Sequence, residues 1–140
     1  MTAVNMRAAE ALYPVLSVFH SIASLPLQDV WQVHSEGSVD RLILDFNSTS
    51  LVISANEDDD SIECSAVNAP FVDEGCRLDV SDREPWKNFI GSSFGWGWVT
   101  VNQQGNCDGL LLSFEGIAPQ VVLNVIASSL KVGAIVRLPA

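Results

Sequence analysis

The sequence predicts an α+β chain: one strongly curved antiparallel meander sheet of about seven or eight strands, with an N-terminal helical segment packed on one face. Three observations lead there. Apolar residues recur at helical spacing over residues 3–22. From Leu27 onward the apolar period changes to two. Short polar or glycine-bearing stretches then interrupt the alternation at regular intervals, as in a meander. No stretch reads as an inter-domain linker. Residues 1–140 are therefore expected to form a single domain, with 1–25 a helical extension and 27–138 the sheet.

The helical stripe is drawn by Met6, Ala9, Leu12, Tyr13, Leu16, Phe19 and Ala23. Pro14 falls inside it, where a missing N–H and a ring clash predict a kink or two short helices. Residues 27–36 read as the first strand. In "RLILDF" (41–46), Leu42, Leu44 and Phe46 share one face and Arg41, Ile43 and Asp45 the other. "LVISA" (51–55) aligns Leu51, Ile53 and Ala55, and "SIECSA" (61–66) aligns Ile62, Cys64 and Ala66. "CRLDV" (76–80) is a short strand after a proline-bearing loop. Near 82–90 a helical turn is expected, with Ser81 or Asp82 as cap, Pro85 in the first turn, Gly91 as stop, and Trp86, Phe89 and Ile90 as anchors. Continuous alternation through "SFGWGWVTV" (93–101) places Phe94, Trp96, Trp98 and Thr100 on one side. "NQQGNCDG" (102–109) connects to "LLLSFE" (110–115), and residues 120–127 and 131–138 form a last pair.

Composition narrows the function classes. Hydrophobic residues make up 48% and charged residues 17%, enough for a packed core at this length. Seven basic residues face seventeen acidic ones, a net charge of -10. Phosphate backbones and anionic lipid surfaces call for clustered Lys and Arg, so neither nucleic acid nor membrane is expected as a partner. No apolar run is long enough to span a bilayer and the N-terminus lacks a basic leader region, so the cytoplasm is the expected location. Cys64, Cys76 and Cys107 lie far apart without a C-x-x-C, and His20 and His34 stand away from them. No metal or other cofactor is expected. A Cys64–Cys76 disulfide is conceivable, but nothing requires it.

No catalytic residue is assigned. A nucleophile needs a base held against it, and neither histidine has a G-x-S-x-G or comparable setting. The glycines of "GSSFGWG" (91–97) are not followed by Lys-Ser/Thr, so they relieve crowding or allow a bulge rather than hold phosphate. Two candidate binding regions remain. The acids Glu57, Asp58, Asp59 and Asp60, with Asp73 and Glu74, offer a surface for a basic protein partner. An EF-hand loop is not matched, because Ser61 holds the position that needs glycine; a solvated hairpin tip is the plain reading of these acids, with weak divalent-ion binding a lesser alternative. Trp96, Trp98, Asn102, Gln104 and Asp108 form the second candidate, a ligand site of aromatic platforms and amide groups. The competing reading puts the tryptophans in the core and uses Asn102, Gln104 and Asp108 to shape the turn.

Ile90-Gly91, Trp96-x-Trp98, Asn102-x-Gln104-Gly105 and Asp108-Gly109, in that order, resemble the pattern of a family of small uncharacterised bacterial proteins. The resemblance covers about residues 27–138 and leaves the first 25 residues outside. Asn106-Cys107 departs from it, standing where an aromatic such as Tyr is expected near the loop tip. The resemblance implies no activity. The expected function is a non-enzymatic protein-interaction module, of the type that immunity proteins represent. A small-ligand binder or unrecognised enzyme with a pocket near Trp96, Trp98 and Asp108 is the alternative. A structural homo-oligomer, paired through an edge such as "VGAIV" (132–136), is another.

Overall fold

A computed structural model describes residues 3–35, 38–69, 71 and 76–136, with the side chains of 3–11, Ser35 and Cys76 outside the description. Helix α1 (Ala3–Ile22) is followed by β1 (Leu27–Ser35), β2 (Ser38–Phe46), β3 (Thr49–Asn56), β4 (Ser61–Asn68) and β5 (Cys76–Asp79). A 3₁₀ turn (Trp86–Asn88) leads to β6 (Phe94–Val101), β7 (Cys107–Phe114), β8 (Val121–Ile126) and β9 (Ser129–Ala134).

The strands form two sheets, not one strongly curved sheet. Sheet 1 has the order β4-β3-β2-β1-β5 and sheet 2 the order β6-β7-β8-β9, every pairing antiparallel. Sheet 2 is a simple meander; in sheet 1 the meander runs from β1 to β4, and β5 then crosses back to pair with the free edge of β1. Tight turns extend several strands beyond the expected bounds. The β2–β3 turn is Asn47-Ser48, and the β8–β9 turn is Ala127-Ser128, with φ 52° and 65°. Positive φ at both central residues is the twist that suits a two-residue hairpin.

The core lies between the sheets. Leu42, Leu44 and Phe46 of β2, Leu51 and Ile53 of β3, and Leu110, Leu112 and Phe114 of β7 are all buried in it, as the period-two pattern requires. The alternation of β2 carries a surprise on its outer face, where Ile43 and its β3 partner Val52 are also buried. The helix supplies Val15, Val18, Phe19 and Ile22 to the core, a stripe at i, i+3, i+4 and i+7. Tyr13 and Leu16 of the expected stripe are exposed, at 72% and 38%. Residues 3–22 form one α-helix with Pro14 inside, not two. The helix touches both sheets, chiefly at the edge strands β4 and β6.

Sheet 1 and sheet 2 are joined by backbone where the chain leaves the helix. Ser24 N–H donates to Phe94 O, Phe94 N–H to Leu25 O and Leu27 N–H to Ser92 O, each at 2.9 Å. Gly91 N–H donates to Leu27 O at 2.7 Å, and Pro26 bridges Ser93. The 3₁₀ turn expected near 82–90 lies beside this join. Trp86 is buried, Phe89 stacks on Phe114 at 4.9 Å between centroids, and Ile90 is exposed.

Candidate functional site

Strand β6 does not keep the alternation its sequence suggests. Phe94 pairs with Phe114 but Gly97 pairs with Leu112, so an extra residue is accommodated between them. This bulge reverses the faces downstream. Phe94 is buried against Phe19, Phe46 and Phe114, as an inward residue should be. Gly97 also faces inward, and a Cβ there would lie 2.5 Å from the Phe19 ring. Trp98 therefore takes the outward side, half-buried, in register with Leu111. Trp96, at the bulge, is 58% exposed. The expectation that Phe94, Trp96 and Trp98 share a face thus fails, and so does the core placement for the tryptophans.

Trp96 stands at the rim of a groove of about 400 Å³ between α1 and β6. Leu16, Phe19, His20 and Ala23 form the helix side, and Phe94, Gly95, Trp96 and Gly97 the strand side. The bulge is fixed from behind by Ser113, whose Oγ accepts from Trp96 N–H at 2.8 Å and donates to Gly116 O at 2.6 Å.

The remaining members of this candidate site separate. Asp108 Oδ1 accepts from Thr100 Oγ1 at 2.8 Å, across the β6–β7 pair. Asn102 organises its own loop: its Oδ1 accepts from Gln104 N–H at 2.9 Å and Asn106 N–H at 3.2 Å, and its carbonyl accepts from Gly105 N–H. Gly105 has φ 85°, the left-handed conformation that favours glycine in such a turn. Gln104 is exposed. Trp96 and Asp108 thus do not share a pocket. Glu63, Asp79 and Glu115 are each taken up locally, accepting from Asn56 Nδ2, Ser81 N–H and Ser93 N–H respectively.

The acids Glu57 to Asp60 occupy the exposed tip of the β3–β4 hairpin, and two of them have structural work. Asp59 Oδ1 accepts from Ser61 N–H and Oγ, and Asp60 Oδ1 from Ser128 N–H at 2.9 Å and Ser128 Oγ at 3.2 Å. The Asp60 bonds tie the tip to the β8–β9 turn of the other sheet. Asp73 and Glu74 lie outside the described residues.

A cavity of about 360 Å³ brings this hairpin opposite the Asn102 loop. Asp59, Ile62, Glu63 and Cys64 face Gly105, Asn106 and Cys107, with Pro14 and Val15 alongside. Burial pushes the Cys64 thiol up to about 12, and the nearby Cys107 adds to the effect. Burial raises Cys107 too. Both are free and held as thiols at neutral pH, which makes them poor nucleophiles. The conceivable Cys64–Cys76 disulfide is absent, since Cys64 is free.

One pair of residues escaped the sequence reading. Asp29 and Asp45 are direct cross-strand partners on β1 and β2, and their carboxyls are hydrogen-bonded. Trp31 Nε1–H donates to Asp29 Oδ1 at 2.8 Å, and Ser50 Oγ donates to Asp45 Oδ1 at 2.5 Å. Burial pushes Asp29 up to about 6, helped by the bond and charge of Asp45 and by the charge of Asp79. The period-two pattern puts Asp45 on the outward face of its strand, but only the register, shifted between Leu27 and Asp29, sets it opposite Asp29. The pair lines neither the helix-edge groove nor the loop cavity.

Because the folded chain holds the Asp29 proton more tightly than the unfolded chain, the stability this provides is full below about 4 and lost as pH rises through about 6. Asp29→Asn removes the penalty. Urea denaturation is expected to find the variant more stable than the parent above pH 6 by about 1 kcal/mol or less, because solvent still screens a carboxyl that is only partly buried, with the gain vanishing near pH 4. A gain independent of pH would refute this account.

The fold and these sites define an α+β chain of two antiparallel sheets with, among the described residues, one α-helix and an aromatic groove beside it. Residues 14–138 match the model of a family of unknown function, DUF6334, and the chain belongs to that family. The match begins at Pro14, inside α1, so the second half of the helix is part of the family pattern and not an extension before it. No curated protein and no solved structure matches the chain. Among the described residues no helix is long and apolar enough to cross a membrane, and no group of three or more His, Cys, Asp or Glu could hold a metal ion.

Proposed function

We propose that the protein is a non-enzymatic binding module that engages another protein through the groove between α1 and β6. The observation that carries this reading is Trp96, left 58% exposed beside an apolar groove. Burying such a side chain would contribute about 2–3 kcal/mol, and tryptophan at the rim of an apolar groove is the usual form of an interface hot spot. The net charge of -10 favours a basic partner, and the exposed Glu57 and Asp58 are the hairpin acids left to steer it. An immunity-type role, in which a basic protein is held and masked, is one form this binding would take. The groove volume also suits a small apolar ligand, the second reading.

The test uses the tagged full chain to capture partners, followed by titration of the purified partner. Trp96→Ala is expected to weaken binding roughly thirty-fold while leaving the unfolding temperature unchanged. Glu57→Lys with Asp58→Lys should slow association and flatten its salt dependence. A partner whose affinity ignores Trp96→Ala refutes the groove. Binding of a small apolar compound that quenches Trp96 fluorescence, with no protein captured, would favour the second reading.

A further inference from the structure

The outward face of sheet 2 is a second surface, separate from the groove. Strand pairing sets its side chains in rows. One row runs Trp98, Leu111, Val122, Gly133 across β6, β7, β8 and β9. The next runs Thr100, Gly109, Asn124, Lys131. The residues between these rows, such as Leu110 and Leu123, point to the core, as does Leu112 on the other side of the first row. Helix α1 and strands β2, β3 and β4 are the described elements in substantial contact with this sheet, and the shared core places them on its inner side. Trp98, Leu111 and Val122 thus form an apolar row facing outward, only half-buried.

The row is self-complementary. A twofold axis lying in the face, parallel to the strands and between β7 and β8, exchanges β6 with β9 and β7 with β8. It sets Trp98 of each copy over Gly133 of the other, so the largest side chain meets the position that has none. Val122 Cγ1 leans toward Gly133, 3.0 Å from where a Cβ would stand, and floors this notch with an apolar surface. Leu111 meets Val122. In the next row the exposed Lys131 of one copy comes over Thr100 of the other, where the Asp108 carboxylate is held by its 2.8 Å bond. Acid and base stand at opposite ends of one row, so one rotation satisfies both.

We infer that two copies of this chain pair face to face through the outer surface of sheet 2, with Trp98, Leu111 and Val122 at the centre and two Lys131–Asp108 ion pairs at the flanks. Four strands cover about 20 by 20 Å, roughly 400 Å² per copy, which is half of a standard interface. The dimer is accordingly weak and reversible, in the micromolar range rather than the nanomolar.

Sedimentation velocity over a dilution series tests this on the full chain. The parent is expected to show a concentration-dependent monomer–dimer equilibrium. Val122→Glu should abolish it with little change in unfolding temperature, since the side chain faces outward. Lys131→Glu and Asp108→Lys should each weaken pairing roughly tenfold, and together restore it to near the parent affinity. Trp96→Ala, which alters the groove alone, should leave it intact. A chain that stays monomeric to its solubility limit overturns the inference. So does a dimer that survives Val122→Glu, and a double charge reversal that fails to restore pairing overturns the twofold arrangement.

Discussion

Gly97→Val is expected to destabilise the chain by about 3 kcal/mol, at the upper end of what overpacking costs. Its Cβ would lie 2.5–2.6 Å from three carbons of the Phe19 ring, closer than any real contact. Phe19 cannot retreat cheaply. Its ring stacks on Phe94 at 5.8 Å, and it belongs to the stripe that seats α1 in the core. The clash is relieved only by moving the ring or lifting the helix, and either exposes apolar surface. Urea denaturation by far-UV circular dichroism reads the loss. Phe19→Ala in the same chain should recover part of it, because the cost belongs to the contact and not to the strand. A Gly97→Val chain as stable as its parent would show that the helix is not seated on β6 as described.

Trp86→Ala carries the second large effect, about 3–5 kcal/mol. Trp86 is 1% exposed and lies in the shared core. Its backbone carbonyl accepts from Phe89 N–H, closing the turn from which Phe89 stacks on Phe114. Truncation leaves a void the size of an indole between groups that are otherwise tightly held. A chain of this length has a total stability of about 5–15 kcal/mol, so the variant would lose a large share of it. Its near-UV signal and thermal midpoint should fall together. Trp86→Phe, which keeps a ring in place, should lose much less. Equal losses for the two variants would mean that ring volume is not what the site requires.

The sequence reveals one-sided burial more readily than anything else. Leu42, Leu44 and Phe46, then Leu51 and Ile53, then Ile62 with Cys64 and Ala66, announce their faces because one side of each strand meets the core and the other does not. The helix was legible as an element but its seat was not. Val15, Val18 and Ile22 are as apolar as Tyr13 and Leu16, so two neighbouring stripes satisfy the same period. The division into two sheets depends on β5 pairing with β1, a contact between distant segments that no local pattern encodes.

The candidate site fared similarly. Alternation carried through Gly95-Trp96 gives the wrong face for both tryptophans, although glycines on either side of Trp96 had suggested a bulge. The role of Asn102 in ordering its loop follows from asparagine's local bonding habits, and it was among the expected alternatives. The Asp29–Asp45 pair needed the β1–β2 register, which a shift at the strand's start hides from any reading by period.

The join between residues 24–27 and 91–94 also sets an order on folding. All of sheet 1 leaves the ribosome before Ser92 and Phe94, which hold the entry to its first strand. Hairpins such as β2–β3 close over a turn of two residues and need no distant partner. Seating the helix is different, because Phe19 has its flat support only when Phe94 and Gly97 arrive. Loop-closure entropy makes contacts of this range slow to form. Until β6 is made, α1 has only its sheet 1 contacts, chiefly with β4, and the rest of its apolar stripe is a surface that a nascent chain must keep from strangers.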